Sequence, residues 1–326
     1  MRNGTNGDAG ATRREILKRC VAGVGVAAFA NVGGILSDAR AFAASVRETQ
    51  AGKKETAKAE PEPDPEPDAA TEREFPARFD LRLTKRRARS TDSYTQGLVF
   101  EVDSETGREI LYESGGQYGK SILRKIDLES GKILQEYRFS KRYFAEGIAV
   151  VDDRIFALTW KERVCFVFDK KTFEILAEFR YYGEGWGLAF DAETQTLAMS
   201  DGTSKIRVLD AKTFERRRAF DVFYLDANGK KRKLVNLNEL EFVNGELWAN
   251  VYQTNKIVRI DPASGRVLQA IDFSQIVPNS LRGSWDYVLN GIAFDGAKKR
   301  LFITGKCWPT LFEFSAIPDK TAAKSV

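Results

Sequence analysis

The sequence predicts an all-β protein: a five-bladed β-propeller behind an N-terminal extension of different composition. Three observations predict it. From about Phe79 the chain runs as short β-branched and aromatic segments, with no long stretch of helical period. Turn signals such as LESGK, PASGR and DANGK separate those segments. One short pattern then recurs five times: QGLVF at 96–100, EGIAV at 146–150, WGLAF at 186–190, NELEF at 238–242 and NGIAF at 290–294.

The extension comes first. Thr12-Arg13-Arg14 precedes the mildly apolar run VAGVGVAAFANVGGIL and the small-residue site Ala41-Phe42-Ala43. That order predicts a signal peptide over 1–43, and its paired arginines are like a twin-arginine export signal. The apolar run is too short and Gly-rich for a membrane-spanning helix. Residues 44–75 include EPEPDPEPD and hold almost no large apolar side chain, so they cannot offset their ordering entropy and are expected to be a flexible linker. The remaining 76–326 is the expected propeller and catalytic domain. A periplasmic, extracellular or membrane-tethered protein is expected, with no membrane domain unless the signal segment is retained.

Within the propeller, each copy of the pattern has a variable first residue, usually Gly next, then Leu or Ile, and a final Phe or Val. A second strand echoes after each: ILYES, IFALTW, LAMSDG, LWANVY and LFITGK. A third follows most of them, as in RKIDLESGKIL, CFVFDKKTFEIL, IRVLDAKTFERR and IVRIDPASGRVL. Three or four strands in a unit of about 40–50 residues is the size of a propeller blade. A β-sandwich would not give five equivalent segments.

Composition then narrows the chemistry. The chain of 326 residues has no histidine, which removes the commonest general base, the usual catalytic zinc ligand and every Ser-His or Cys-His pair. Acid–base work falls to carboxylates, Lys or Tyr. The net charge of +5 comes from 51 scattered basic residues against 46 acids, so no nucleic-acid partner is indicated. Cys20, Cys165 and Cys307 lack metal-ligand spacing. Cys20 falls in the signal segment, and Cys165 and Cys307 are either one disulfide or two separate thiols.

Side chains alternate along a strand, so Leu98 and Phe100 share a face with Gln96, as Ile148 and Val150 do with Glu146. Radial symmetry would gather Gln96, Glu146, Trp186, Asn238 and Asn290 into one ring at the channel mouth, with Glu146 its single titratable member. The alternative is that these residues merely cap strand entries, and for Asn290, a favoured turn residue, the two readings are balanced. Glu184 in YGEGWG competes with Glu146 but ranks behind it. Glu239 and Glu241 belong to the opposite strand face from Asn238, and Asp201 and Glu113 to turns or inter-blade contacts. Trp160, Tyr252 and Lys306 end second strands near the same mouth, where the aromatics form a small pocket or simply pack between loops.

The segments SYTQGLVF, LYESGGQYGKSILRKIDL, YFAEGIAV, LTWK, GWGLAF, SDGTS, NLNELEFVNGELWANVYQT, LNGIAFD and RLFITGKCWPTLFE resemble plant-type glutaminyl-peptide cyclotransferases and their bacterial relatives. The resemblance runs from about Tyr94 to Glu313. It implies a five-bladed propeller that converts N-terminal glutamine of peptides or proteins into pyroglutamate with release of ammonia. It places the catalytic glutamate on Glu146, a channel glutamine on Gln96, an asparagine on Asn238 and a lysine on Lys306. Lys306 and Asn238 would stabilise the oxyanion, and Gln96 would orient the substrate's amine or amide. The pocket aromatics fall on Tyr94, Phe144, Trp160, Trp186 and Tyr252.

The family's usual Gly before the catalytic Glu is Ala145 here, Tyr94 stands where Phe is common, and Tyr252 where Trp is expected. These changes bear on substrate preference more than on the reaction. No cofactor is required, and a monomer is expected. The resemblance allows a structural calcium in the channel, for which the sequence offers no carboxylate cage. Two other readings stand beside the enzyme: a non-catalytic propeller that binds peptide ends, and a metal-dependent lactonase-like propeller, which would need a ring of carboxylates.

Overall fold

Short alternating segments cannot satisfy their own backbone polar groups, so each pairs with the next across a tight turn. The computed structural model describes residues 81–315, which form 22 strands arranged as five four-stranded antiparallel sheets and one two-stranded hairpin. The expected signal segment 1–43 and linker 44–75 lie outside the described residues. The order opens with β1 (Arg82–Ala88). The first blade is β2 (Thr95–Val102), β3 (Glu109–Gly115), β4 (Ile122–Asp127) and β5 (Ile133–Arg138). The second is β6 (Ala145–Val151), β7 (Arg154–Thr159), β8 (Val164–Asp169) and β9 (Ile175–Arg180). The third is β10 (Leu188–Asp191), β11 (Thr196–Met199), β12 (Lys205–Asp210) and β13 (Arg216–Asp221).

A hairpin of β14 (Phe223–Leu225) and β15 (Lys231–Lys233) follows, outside any blade. The fourth blade is β16 (Leu237–Val243), β17 (Glu246–Val251), β18 (Lys256–Ile260) and β19 (Val267–Asp272). The fifth has only three strands from its own repeat: β20 (Leu289–Asp295), β21 (Arg300–Gly305) and β22 (Thr310–Ser315). Its outermost strand is β1, paired antiparallel with β22 from Arg82↔Ser315 to Ala88↔Thr310. The two ends of the described chain thereby close the ring, with Arg87 and Glu313 ion-paired at 2.9 Å across the seam. β1 carries none of the repeat's signals, so the sequence pattern does not reveal it.

Apolar faces between blades supply the driving force. Ile110, Tyr112 and Leu123 of the first blade pack with Ile148, Ala157 and Phe166 of the second. Phe156 and Phe179 of the second blade and Phe214 of the third form a triangle of near-parallel rings, Phe214 lying 6.3 Å from Phe156 and 5.0 Å from Phe179. Trp248 and Ile257 of the fourth join Ile292 and Ile303 of the fifth, and Leu98 joins Ala293 and Phe302 across the closure. Each such side chain contributes on the order of 2 kcal/mol by leaving water.

The first strands β2, β6, β10, β16 and β20 line the axis, each beside its neighbours. Glycine makes this approach close enough: a Cβ on Gly147 would lie 2.5 Å from Leu188 N, and one on Gly187 only 2.0 Å from Asn238 O. The fourth unit has Glu239 at the equivalent position, and its side chain reaches across instead, accepting the N–H groups of Leu98 at 3.3 Å and Ile292 at 2.9 Å.

Simple alternation from the first residue of each repeat does not hold. The ladder breaks register at that point in four blades, between Thr95 and Gly97, Ala145 and Ile148, Leu237 and Leu240, and Leu289 and Ile292. These irregularities free Gln96, Glu146, Asn238 and Asn290 from the pleat, which is how strand residues come to be aimed along an axis. Trp186 precedes β10 altogether, its N–H bonded to Ser200 O.

Candidate active site

Glu146 sits at the break in β6, 4% exposed, on backbone held by Ser114, whose hydroxyl donates to Glu146 O at 2.6 Å. Gln96, 3% exposed on β2, donates Nε2–H to Glu146 Oε1 at 3.1 Å. Asn290, wholly buried on β20, donates in turn to Gln96 Oε1 at 3.2 Å and to Thr95 O at 3.0 Å. The chain Asn290→Gln96→Glu146 thus joins three blades and fixes which end of the Gln96 amide faces the carboxylate. Gln96 thus orients the Glu146 carboxylate through one N–H of its amide. Asn290 is a member of this relay and not only a strand cap.

Asn238, 3% exposed, is held by the Ser200 hydroxyl on its backbone carbonyl at 2.7 Å. Its Oδ1 is buried with no hydrogen-bond partner among the described residues. A buried acceptor left unmet is costly unless a ligand meets it.

The aromatic residues close into a belt. Phe144 packs edge-on against Tyr94 and Trp160, centroids 6.3 and 5.5 Å away, and Trp186 against Tyr252 at 5.6 Å. Two charged side chains complete the circuit. Lys306 Nζ lies 4.6 Å from the Tyr94 ring centre and 4.7 Å from that of Tyr252, an ammonium held between two π faces. Glu184 Oε2 accepts both indole N–H groups, Trp160 Nε1 at 2.6 Å and Trp186 Nε1 at 2.9 Å. Glu184 is thus a wall residue joining two blades, where the sequence could treat it only as a rival to Glu146.

Electrostatics follow from burial. Loss of solvent holds the Glu146 carboxyl well above the usual carboxylate range; Lys306 opposes this, while the charges of Glu184 and Glu162 add to it. Burial likewise draws the Lys306 ammonium down to about 8, against the attraction of Glu146 and Asp286. A base that stays protonated beyond the acidic range and an ammonium that gives up its proton near neutrality suit proton transfer at ordinary pH.

Two further contributors escaped the sequence reading. Glu162 accepts the Tyr118 hydroxyl at 2.8 Å and the Phe144 N–H at 3.2 Å, bracing the belt from outside. Ser114, Thr159, Ser200, Asn250 and Thr304, all wholly buried, occupy matching places near the ends of the second strands. Ser114, Ser200 and Asn250 each bond the first strand of the next blade. The signal was in the sequence: a small polar residue interrupts each second-strand echo at the same point.

The competing carboxylates have structural duties. Glu113 is buried under Arg89, Ser93 and Thr95, and Asp201 pairs with Arg207 at 3.1 Å. Glu239 spends both oxygens on backbone N–H groups. No group of three or more His, Cys, Asp or Glu side chains suited to a metal exists among the described residues. A channel calcium, which the resemblance allows, would have to be held by backbone carbonyls and waters rather than by a cluster of carboxylates. Cys165 and Cys307 are free thiols, not a disulfide.

The described residues define a β-propeller of five blades, with Glu146 buried and hydrogen-bonded where the first strands of three blades meet. Comparison with known proteins gives the particular one. A sequence model of the family described as glutamine cyclotransferase matches residues 57–316. The glutaminyl-peptide cyclotransferase of Arabidopsis thaliana is 38% identical over 237 residues, covering 72% of this chain and 70% of that protein. The crystal structure of Myxococcus xanthus glutaminyl cyclase superposes with a TM-score of 0.60 at 32% identity, over 72% of this chain and 95% of the other. This chain belongs to the glutamine cyclotransferase family.

Proposed function

We propose that this protein is a glutaminyl-peptide cyclotransferase, which converts the N-terminal glutamine of peptides or proteins to pyroglutamate and releases ammonia. The observation that carries the reading is the placement of Glu146: one buried carboxylate, oriented by Gln96, within electrostatic reach of Lys306 and the belt. Both relatives, a glutaminyl-peptide cyclotransferase and a glutaminyl cyclase, support it.

The α-amine of the substrate attacks its own side-chain amide carbon, forming a C–N bond and a tetrahedral oxyanion. Glu146 takes the proton that the amine sheds. It returns that proton to the side-chain nitrogen, whose bond to carbon breaks as ammonia leaves. Such general acid–base help is worth roughly 10²–10⁴-fold. Lys306 stabilises the oxyanion, a contribution on the order of 3 kcal/mol for a preorganised donor. The unmet Oδ1 of Asn238 suits a substrate N–H better than an oxyanion, so Asn238 holds the amine or the departing amide. The belt folds the substrate methylenes so that nitrogen can reach carbon. A monomer acting on peptides after twin-arginine-type export completes the proposal; the pattern at Arg13-Arg14 supports the export, and the location of a tagged full-length chain checks it.

The direct test incubates the purified protein with a peptide that begins with Gln. Loss of one ammonia from the peptide mass, unaffected by chelators, is the expected result. Equal rates for wild type and Glu146→Gln would remove the proposed role of Glu146. Binding without turnover would favour the non-catalytic peptide binder instead.

A further inference from the structure

We propose that Glu184 is a positioning residue for this reaction, fixing the two indoles of the pocket wall through a single carboxylate oxygen. The inference rests on the cyclotransferase reading, since it supposes that the belt holds the glutamine side chain. Trp160 directly follows the second strand of one blade, and Trp186 precedes the first strand of the next. No aromatic contact joins them, so without Glu184 the belt is open at that seam. Both N–H groups point at Oε2, at 2.6 and 2.9 Å, which sets the rotation of each ring about its own axis and hence the faces the pocket presents.

The backbone around Glu184 is itself anchored. Arg207 donates to Glu184 O at 2.7 Å, and Gly185 N–H to Trp160 O at 3.2 Å. Among the described residues the other carboxylate oxygen, Oε1, has only Lys161 Nζ at 3.9 Å, and that ammonium lies over the Trp160 ring at 4.0 Å. The Glu184 side chain is 36% exposed, so it reaches both indoles from the rim of the site. A charged acceptor shared by two N–H donors is stronger than two neutral contacts. That charge also faces Glu146, together with Lys306 from the fifth blade, Glu162 from the second and the Gln96 amide from the first.

The test compares Glu184→Gln, which keeps an acceptor oxygen but loses the charge, with Glu184→Leu, which loses both. Both are made in a Trp285→Phe background, because Trp285 is 73% exposed and would dominate quenching. For Glu184→Leu, KM for a Gln-peptide rises about tenfold or more, the size expected from losing a charge-assisted hydrogen bond, and acrylamide quenches tryptophan emission more readily. For Glu184→Gln, KM stays within about threefold, and the acid limb of the kcat profile moves to lower pH, because one of the charges that raises Glu146 is gone.

An unchanged KM together with unchanged quenching in Glu184→Leu overturns the proposal. If Glu184→Leu fails to fold, unchanged KM and unchanged quenching in Glu184→Ala overturn it instead; the acid limb of Glu184→Gln reads only the influence of the charge on Glu146. If the wild-type protein binds Gln-peptides without turnover, the cyclotransferase reading falls. Peptide affinity and quenching of the two variants then still decide whether Glu184 sets the indoles.

Discussion

Gln96 Nε2 lies 3.1 Å from Glu146 Oε1, a hydrogen bond between residues 50 positions apart that two neighbouring blades bring together. A donor aimed at a buried carboxylate stabilises its charged form. Replacing Gln96 by Ala should therefore raise Glu146 further and shift the acid limb of kcat to higher pH, with kcat at neutral pH reduced about tenfold. Glu146→Gln should lower kcat by roughly 10²–10⁴-fold while Gln-peptide binding survives. Steady-state rates with calorimetric binding separate the two effects.

Lys306 sets the alkaline side. Its ammonium is drawn down to about 8, so kcat should climb as Glu146 loses its proton and fall again as Lys306 loses its own. An arginine stays charged throughout this range, so Lys306→Arg should carry the alkaline decline upward by more than one pH unit. Lys306→Met should cost about 10²-fold in kcat below about pH 8, with the gap to wild type closing as the wild-type ammonium loses its proton. A pH–rate profile for the three proteins checks this.

Glu239 holds the hub. Removing its side chain leaves the buried N–H groups of Leu98 and Ile292 without acceptors, at about 1–3 kcal/mol each. Glu239→Ala should lower the midpoint of thermal unfolding by several degrees, and Glu239→Gln should recover part of the loss. Burial holds the Glu239 carboxyl well above its unfolded value, so its contribution is complete in acid and fades as pH climbs above the ordinary carboxylate range. The gap between wild type and Glu239→Ala should accordingly be wider near about pH 5 than near about pH 8.

β1 closes the ring, and its removal should be felt throughout. A chain starting after Ala88 would expose the edge of β22, strip Leu81 and Leu83 from the core of the fifth blade and break the Arg87–Glu313 pair. We expect a fall of about 10 °C or more in the unfolding midpoint and aggregation through the bare strand. Differential scanning calorimetry and light scattering report both.

Much of this molecule is legible in the linear order of its residues. Five copies of one short pattern, each with its second-strand echo, specify five blades, because a blade is a local unit built from consecutive hairpins. The same symmetry marks Gln96, Glu146, Asn238 and Asn290 as equivalents, and the motifs ending in Trp160, Tyr252 and Lys306 mark the rest of the mouth. What the pattern cannot carry is any relation between unlike positions. β1 pairs with β22 at the far end of the described chain, so nothing near Arg82 announces a strand of the fifth blade. The register breaks beside the ring residues belong to the pairing of first and second strands and are not announced by the repeat itself. The amide relay from Asn290 to Glu146 and the shared grip of Glu184 on two indoles are distances between separate blades. Chain chemistry determined the units and their polar first residues; closure of the propeller decided which of those residues meet, and through burial at that meeting point, which of them can move a proton.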